Sequence, residues 1–299
     1  MGISIYKIKK WYKMMTGNSI SHVNQGVGTC YSKTEVAGYY NDLTEKVTKD
    51  DPNILVPKYY VDTGEEIYFP IGIFQYGLAA YDLYLTTHDE IYKNKLIACA
   101  DWAVENQQED GGWVTFAYNK PEAPYSSMAQ GEGVSMLIRA HIVTGDDRYI
   151  FAVHKSKEFM LMPIDEGGTT EYKGEDVIFY EYTANPVVLN GWIFSLWGLY
   201  DYCKYFEDEQ AAVILQKTLE SLKQKLVDYD TKYWSKYDDG KRICSPFYHK
   251  LHIAQLDTMY DLFGDSIYKE FADKWQGYQN CFWKRKRAFL QKAMQKVFE

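Results

Sequence analysis

No stretch of this 299-residue chain approaches the roughly 18 consecutive uncharged apolar residues that a membrane-spanning helix needs. Its start, MGISIYKIKKWYKMM, carries charge where a secretion signal has an apolar run. Both absences lead to the expectation of a cytoplasmic protein. Cysteine is sparse: Cys30, Cys99, Cys203, Cys244 and Cys281 are odd in number, scattered and never paired as CxxC, which argues against a disulfide framework or a zinc ribbon. No GxGxxG, GxxxxGK[ST] or GxSxG stands between a strand and a helix, so Rossmann, P-loop and α/β-hydrolase enzymes all lack their signature. The six histidines (His22, His88, His141, His154, His249, His252) include one close pair and no HExxH, leaving zinc short of ligands. Neither a metal nor a cofactor is expected.

Apolar residues are plentiful at 46%, with 17% aromatic, enough for a sizeable core and too much for a disordered chain. The net charge of −8 disfavours nucleic acid as a partner, and its distribution is uneven. Residues 1–15 hold Lys7, Lys9, Lys10 and Lys13 without an acid, and 282–299 carry a charge of +5, leaving −17 on the body between. Each end also has large apolar residues, a mixture suited to an anionic membrane surface as well as to docked terminal helices. Peripheral contact at the inner face of a membrane is therefore a second expectation, and a homodimer is left open.

An internal repeat points to the fold. Four acidic turns, beginning at His88, Gly145, Glu207 and Gly264, lie 57, 62 and 57 residues apart. Each separates a helix rich in small and aromatic residues (roughly 72–86, 128–143, 188–204 and 249–262) from an amphipathic one (roughly 91–107, 148–161, 209–227 and 266–278). Small residues allow close inner packing, while helices charged on one face form an outer ring. The predicted architecture is all-α: an α/α toroid, or incomplete barrel, of about four helical hairpins over 58–280. A short N-terminal extension (1–57) with a few strands precedes it, and a basic amphipathic tail (281–299) follows.

Chemistry must come from acids and phenols. Phe179-Tyr180-Glu181-Tyr182 precedes an inner helix, with Asn185 and Asn190 behind it, and a second cluster holds Tyr233, Trp234, Tyr237 and Tyr248, followed by His249 and His252. A carboxylate and phenols beside a cleft are groups that can move a proton bound to carbon α to a carboxylate, though tyrosine packs cores just as readily.

The stretches FQYGLAAYDLYL (74–85), WAVENQQEDGGW (102–113), YSSMAQGEGVSMLIRAHIVTGD (125–146), YEYTANPVVLNGWIFSLWGLYDY (180–202) and SPFYHKLHIAQL (245–256) resemble the C-terminal domain of the D-glucuronyl C5-epimerases. The likeness covers about residues 58–278 in order. It implies a toroidal enzyme that takes the C5 proton of a glucuronosyl unit in a heparosan-like polymer and returns one from the other side, giving iduronosyl. Matched positions put catalytic roles on Glu181, Tyr182, Tyr237 and Tyr248. Glu181 is the favoured base, Tyr237 or Tyr248 the opposite-face donor, and Tyr182 a holder of the uronate carboxylate. Gln75, Tyr125, Gln130, Arg139, Asn190, His249 and His252 match positions near the cleft and are candidate substrate contacts, although helix packing explains Gln130, Asn190 and Arg139 at least as well. The family's arginine three residues past the phenol is absent, which leaves Lys241 or Arg242 to replace it. The partner so implied is a uronate-containing polysaccharide. Rival readings are a polysaccharide lyase or glycoside hydrolase on the same toroid, and an inactive glycan-binding protein of a polymer-assembly complex.

Overall fold

A computed structural model describes residues 23–298 except Asp62 and Asn185, with nothing said of the side chains of 296–298. The N-terminal lysines, His22 and Asn185 therefore lie outside the described residues. Within them the chain is helical, with two small antiparallel hairpins, β1 (Tyr59–Tyr60) with β2 (Glu66–Ile67) and β3 (Thr170–Lys173) with β4 (Asp176–Phe179). A short helical turn, α1 (Glu45–Thr48), precedes four helix pairs: α2 (Pro70–Thr87) with α3 (Glu90–Asn106), α4 (Ser127–Thr144) with α5 (Asp147–Leu161), α6 (Leu189–Tyr205) with α7 (Glu209–Lys225), and α8 (Pro246–Phe263) with α9 (Ser266–Asn280). A last helix, α10 (Phe282–Phe298), packs on α9.

The turns work as their residues dictate. Asp89, Asp146, Asp208 and Asp265 occupy the same place in each repeat, and each carboxylate accepts a hydrogen bond from a backbone N–H of the next helix's first turn. Gly145 and Gly264 end their helices in the left-handed region, where His88 stands in the first repeat at a φ of 57°.

Inner helices neighbour one another in the order α2, α4, α6, α8, and their partners lie outside them. Glycine sets the closest approach: a Cβ on Gly198 of α6 would lie 2.3 Å from Gly131 of α4. Because every inner helix is followed by a returning outer one, all four run in the same direction. Their N-termini open at one rim, where the positive ends of the helix dipoles collect.

The opposite end is filled by the N-terminal arm. Tyr39 and Tyr40 are fully buried against Phe194 and Trp197. The Tyr39 N–H donates to Asp82 of α2 (2.8 Å), and Thr258 Oγ1 of α8 donates to the Tyr40 carbonyl (3.3 Å), so the arm bridges the first and last inner helices. Arg139 belongs to this plug and not to a substrate site. Its guanidinium is fully buried, paired with Asp201 at 2.6 Å and donating to the carbonyls of Ala37, Gly38 and Ser135. The expectation that it touches substrate is corrected accordingly, since those donors are spent on the arm and its anchor.

Candidate active site

The rim at the inner-helix N-termini gathers the predicted acid and phenols. Strand β4 ends at Phe179, and the Tyr180 carbonyl accepts from the N–H of Ser127 at the start of α4 (3.0 Å). The Tyr180 phenol turns outward to Glu171 (3.1 Å), which leaves the next side chain, Glu181, to point inward and become buried. Gly191, in the first turn of α6, makes room for it: an added Cβ would lie 2.5 Å from Glu181 Oε2 and 2.6 Å from its Cβ. Gly191→Ala should therefore displace the carboxylate and lower turnover about a hundredfold. The buried clash with the Glu181 Cβ outweighs alanine's helix propensity, so the melting temperature should fall as well. Activity and thermal denaturation of the purified variant check both halves.

A second loop delivers the phenols. Residues 235–244 fold back on themselves, with Tyr237 N–H donating to the Arg242 carbonyl (2.7 Å) and Cys244 N–H to that of Ser235 (3.0 Å). This loop is laced to the start of α6, since Leu189 N–H donates to the Tyr237 carbonyl (3.2 Å) and Val187 N–H to the Asp239 carboxylate (2.9 Å). Tyr248 sits in the first turn of α8, capped by Ser245, and its ring meets that of Tyr237 edge to face at 4.9 Å. Tyr182 stacks on Phe116 at 4.4 Å, with Lys120 Nζ 5.6 Å from its ring centre. The Arg242 guanidinium lies 5.1 Å from the centre of the Tyr237 ring and is held through Nε by the buried Asp238. Of the two replacements expected for the missing arginine, it is thus Arg242 that reaches the phenols, while Lys241 is exposed.

Electrostatics separates the roles. Burial pushes the Glu181 carboxyl up to about 7, against the pull of a hydrogen bond from Tyr182 and the charge of Arg242. Burial, reinforced by the charge of Glu181, holds the Tyr182 and Tyr237 phenols well above their ordinary range. At neutral pH the site therefore offers one carboxyl poised to gain or lose a proton, and phenols that are donors.

Beside Glu181 lies a residue that motif reading passed over. Glu132 of α4 is fully buried, one oxygen accepting from Gln75 Nε2 (2.7 Å) and the other without a partner. Burial raises its carboxyl well above the usual range, opposed by Gln75 and by Lys46 and reinforced by Glu181. Its one signal in the sequence is an acid set between Gly131 and Gly133 on a helix otherwise lined with small and apolar residues. Phe116 and Lys120 were missed as well, because nothing in the loop after Trp113 announces a partner for Tyr182.

The outlying candidates fare differently. Gln75 reaches the buried cluster through Glu132, and Asn190, next to Gly191, holds a buried side-chain oxygen without a partner. Tyr125 packs on Phe159 and Gly112. Gln130 is corrected: with both ends of its amide satisfied it donates to Ser156 and Gly111 and accepts from Trp113 N–H, tying a loop to α4. His249 is corrected too, since both its nitrogens are occupied, while the buried His252 keeps Nε2 without a partner. The His249 Nδ1 accepts from the Ser235 N–H (3.2 Å), which leaves Nε2 protonated to donate to the Trp275 carbonyl (3.1 Å), and its ring stacks on Trp234 at 3.5 Å. His252 lies beside Cys244. Burial lowers both imidazoles to about 3, so they stay neutral wall residues at working pH.

Fold and site together define an α/α toroid with a buried carboxyl and phenols gathered at one rim. The chain belongs to the D-glucuronyl C5-epimerase C-terminus family, whose model matches residues 107–277. It is 32% identical to the D-glucuronyl C5-epimerase of Caenorhabditis elegans over 224 residues, covering 65% of this chain and 36% of that protein. It is 28% identical to an uncharacterised protein of Methanocaldococcus jannaschii over 165 residues, covering 53% and 54%. The chain thus spans only about a third to a half of the length of these curated relatives. Among solved structures, the unsaturated glucuronyl hydrolase of Bacillus sp. GL1, responsible for the degradation of glycosaminoglycan, aligns with a TM-score of 0.44 at 13% identity over 73% of this chain and 61% of that one.

Proposed function

We propose that the protein is a polysaccharide uronate C5-epimerase, converting D-glucuronosyl to L-iduronosyl units in a heparosan-like glycan. The observation that carries this reading is the buried Glu181 carboxyl, hydrogen-bonded by Tyr182 at the same rim as the Tyr237–Tyr248 ring pair, with burial raising the acid to about 7. Glu181 takes the C5 proton, and the C5–H electron pair moves into the C6 carboxylate to form an enediolate. A phenol, Tyr237 or Tyr248, delivers its proton to the opposite face of C5. The phenolate then regains a proton from solvent as Glu181 releases its own, so no atom is gained or lost. Arg242, Lys120 and the helix N-termini supply positive charge where the carboxylate gathers negative charge, while the one Tyr182 O–H is given to Glu181.

A hydrolase would need two carboxyls flanking the scissile bond. Asp238 is occupied by Arg242 and the Gly240 N–H, and Asp239 by the Val187 N–H, so the second carboxyl a hydrolase would have to use is Glu132, one oxygen of which is held by Gln75. A lyase shares the first proton abstraction and differs in expelling the C4 substituent.

Incubation with heparosan in deuterated water separates these outcomes. The expected result is deuterium at C5 together with new iduronosyl signals in the NMR spectrum. Ultraviolet absorption from an unsaturated uronate would mean a lyase. Binding of the polymer without exchange would mean an inactive glycan-binding protein.

A further inference from the structure

Helix α10 has two faces. The inner one grips the loop that carries Tyr237 and Arg242: Gln291 meets the Tyr233 hydroxyl, Gln295 accepts from Ile243 N–H (3.1 Å) and donates to the Lys241 carbonyl (2.7 Å), and Ala288 is buried. The outer one is uncovered. Trp283 is 78% exposed, Leu290 62% and Met294 56%, spaced seven and eleven residues from the first, so they form one stripe along the helix. Phe282 and Phe289 lie off the stripe, lining a cavity between this helix and Trp234 and Pro246. Lys286 and Arg287 flank the stripe, Arg287 also lying 3.9 Å over the Tyr233 ring, while Lys284 sits over Tyr278 (4.1 Å) and Arg285 donates to the Gln279 carbonyl (2.9 Å); residues 282–299 hold a single acid, Glu299.

We propose that this outer face docks on an anionic lipid bilayer, with the stripe entering the headgroup–acyl boundary and the flanking Lys286 and Arg287 meeting lipid phosphates. Three observations favour a bilayer over other occupants. A polyanionic glycan would satisfy the lysines and arginines but offers no hydrocarbon to cover Leu290 and Met294. A second copy joined through this face would set one flanking pair of cations against another. A helix of 17 residues, about 25 Å long, also presents far less than the roughly 800 Å² per partner of a standard interface. No described helix is long and apolar enough to cross a membrane, so the contact would be peripheral. Since the inner face of α10 holds the catalytic loop, docking would set the rim of the toroid beside the bilayer.

Co-sedimentation of the full chain with vesicles tests this. Vesicles of phosphatidylcholine containing about one-third phosphatidylglycerol should bring down the protein, and pure phosphatidylcholine at least about tenfold less. The double variant Trp283→Glu, Leu290→Glu alters only exposed side chains and should lose most of that binding while keeping its circular dichroism spectrum. Lys286→Glu should weaken it several-fold, and serves alone should the double variant not fold. Equal recovery on both vesicle types, or full binding by the folded double variant, overturns the proposal. So does a solution dimer that the double variant breaks without any vesicle binding, or retention on immobilised heparosan through Lys286 by a protein that ignores vesicles.

Discussion

Glu181→Gln is expected to reduce epimerisation by about 10²–10⁴-fold, the contribution of a positioned general base. Deuterium uptake at C5 should fall by the same factor, because inversion and exchange both begin with that abstraction. The amide matches the carboxyl in shape and removes a buried ionisable group, so the variant should fold as the parent does. The wild-type pH profile supplies an independent reading. With the Glu181 carboxyl raised to about 7, the basic form is scarce below neutrality, and the rate should climb about tenfold per pH unit before levelling off above 7. A profile flat from about pH 5 to 8 would place the base elsewhere, as would an active Glu181→Gln protein.

Arg139→Met should damage stability and spare the chemistry. Asp201 is fully buried and accepts from Tyr40 (2.5 Å), Ser135 (2.7 Å) and Arg139 (2.6 Å), with Lys204 3.6 Å away. Burial alone would raise its carboxyl, yet Arg139 and Lys204 hold it below the ordinary value. Removing the guanidinium leaves the buried Asp201 charge to the more distant Lys204 and strips the Ala37 and Gly38 carbonyls of their donor, a loss of about 3–5 kcal/mol against a total of roughly 5–15 for a typical protein. Denaturant titration should show that loss, and the surviving folded fraction should keep its KM. A stable variant with a raised KM would restore Arg139 to the substrate site.

The parts of this molecule that could be read in its sequence are those encoded locally. The aspartates at 89, 146, 208 and 265 each cap the helix that follows within three residues, so the repeat of turns predicted the hairpins and their order. Residues joined across the chain were another matter. Nothing near Glu181 indicates that Tyr237, 56 positions on, will be laced beside it by Leu189 and Val187, and only the family motifs suggested that they meet. Polar residues on inner helices were left open for a related reason. Arg139, Gln130, His249 and His252 occupy helices that line the interior, yet a helix presents one side to the bore and another to its neighbours. Sequence spacing does not say which side answers a buried loop carbonyl. Glu132 is the converse case, an acid set between two glycines that reads as helix filler until its neighbours are seen.

The bridge made by the N-terminal arm bears on how the chain can fold during synthesis. Tyr39 binds Asp82, 43 residues on, as soon as the first hairpin exists, but the Tyr40 carbonyl waits for Thr258, 218 residues away. Three hairpins can stack as they emerge, whereas ring closure must await the fourth. Until then the aromatic wall formed by Phe194 and Trp197 has no permanent cover at the α8 side, and the nascent chain is at its most prone to wrong association. Tyr40, though early in the sequence, is thus among the last residues to be locked in place.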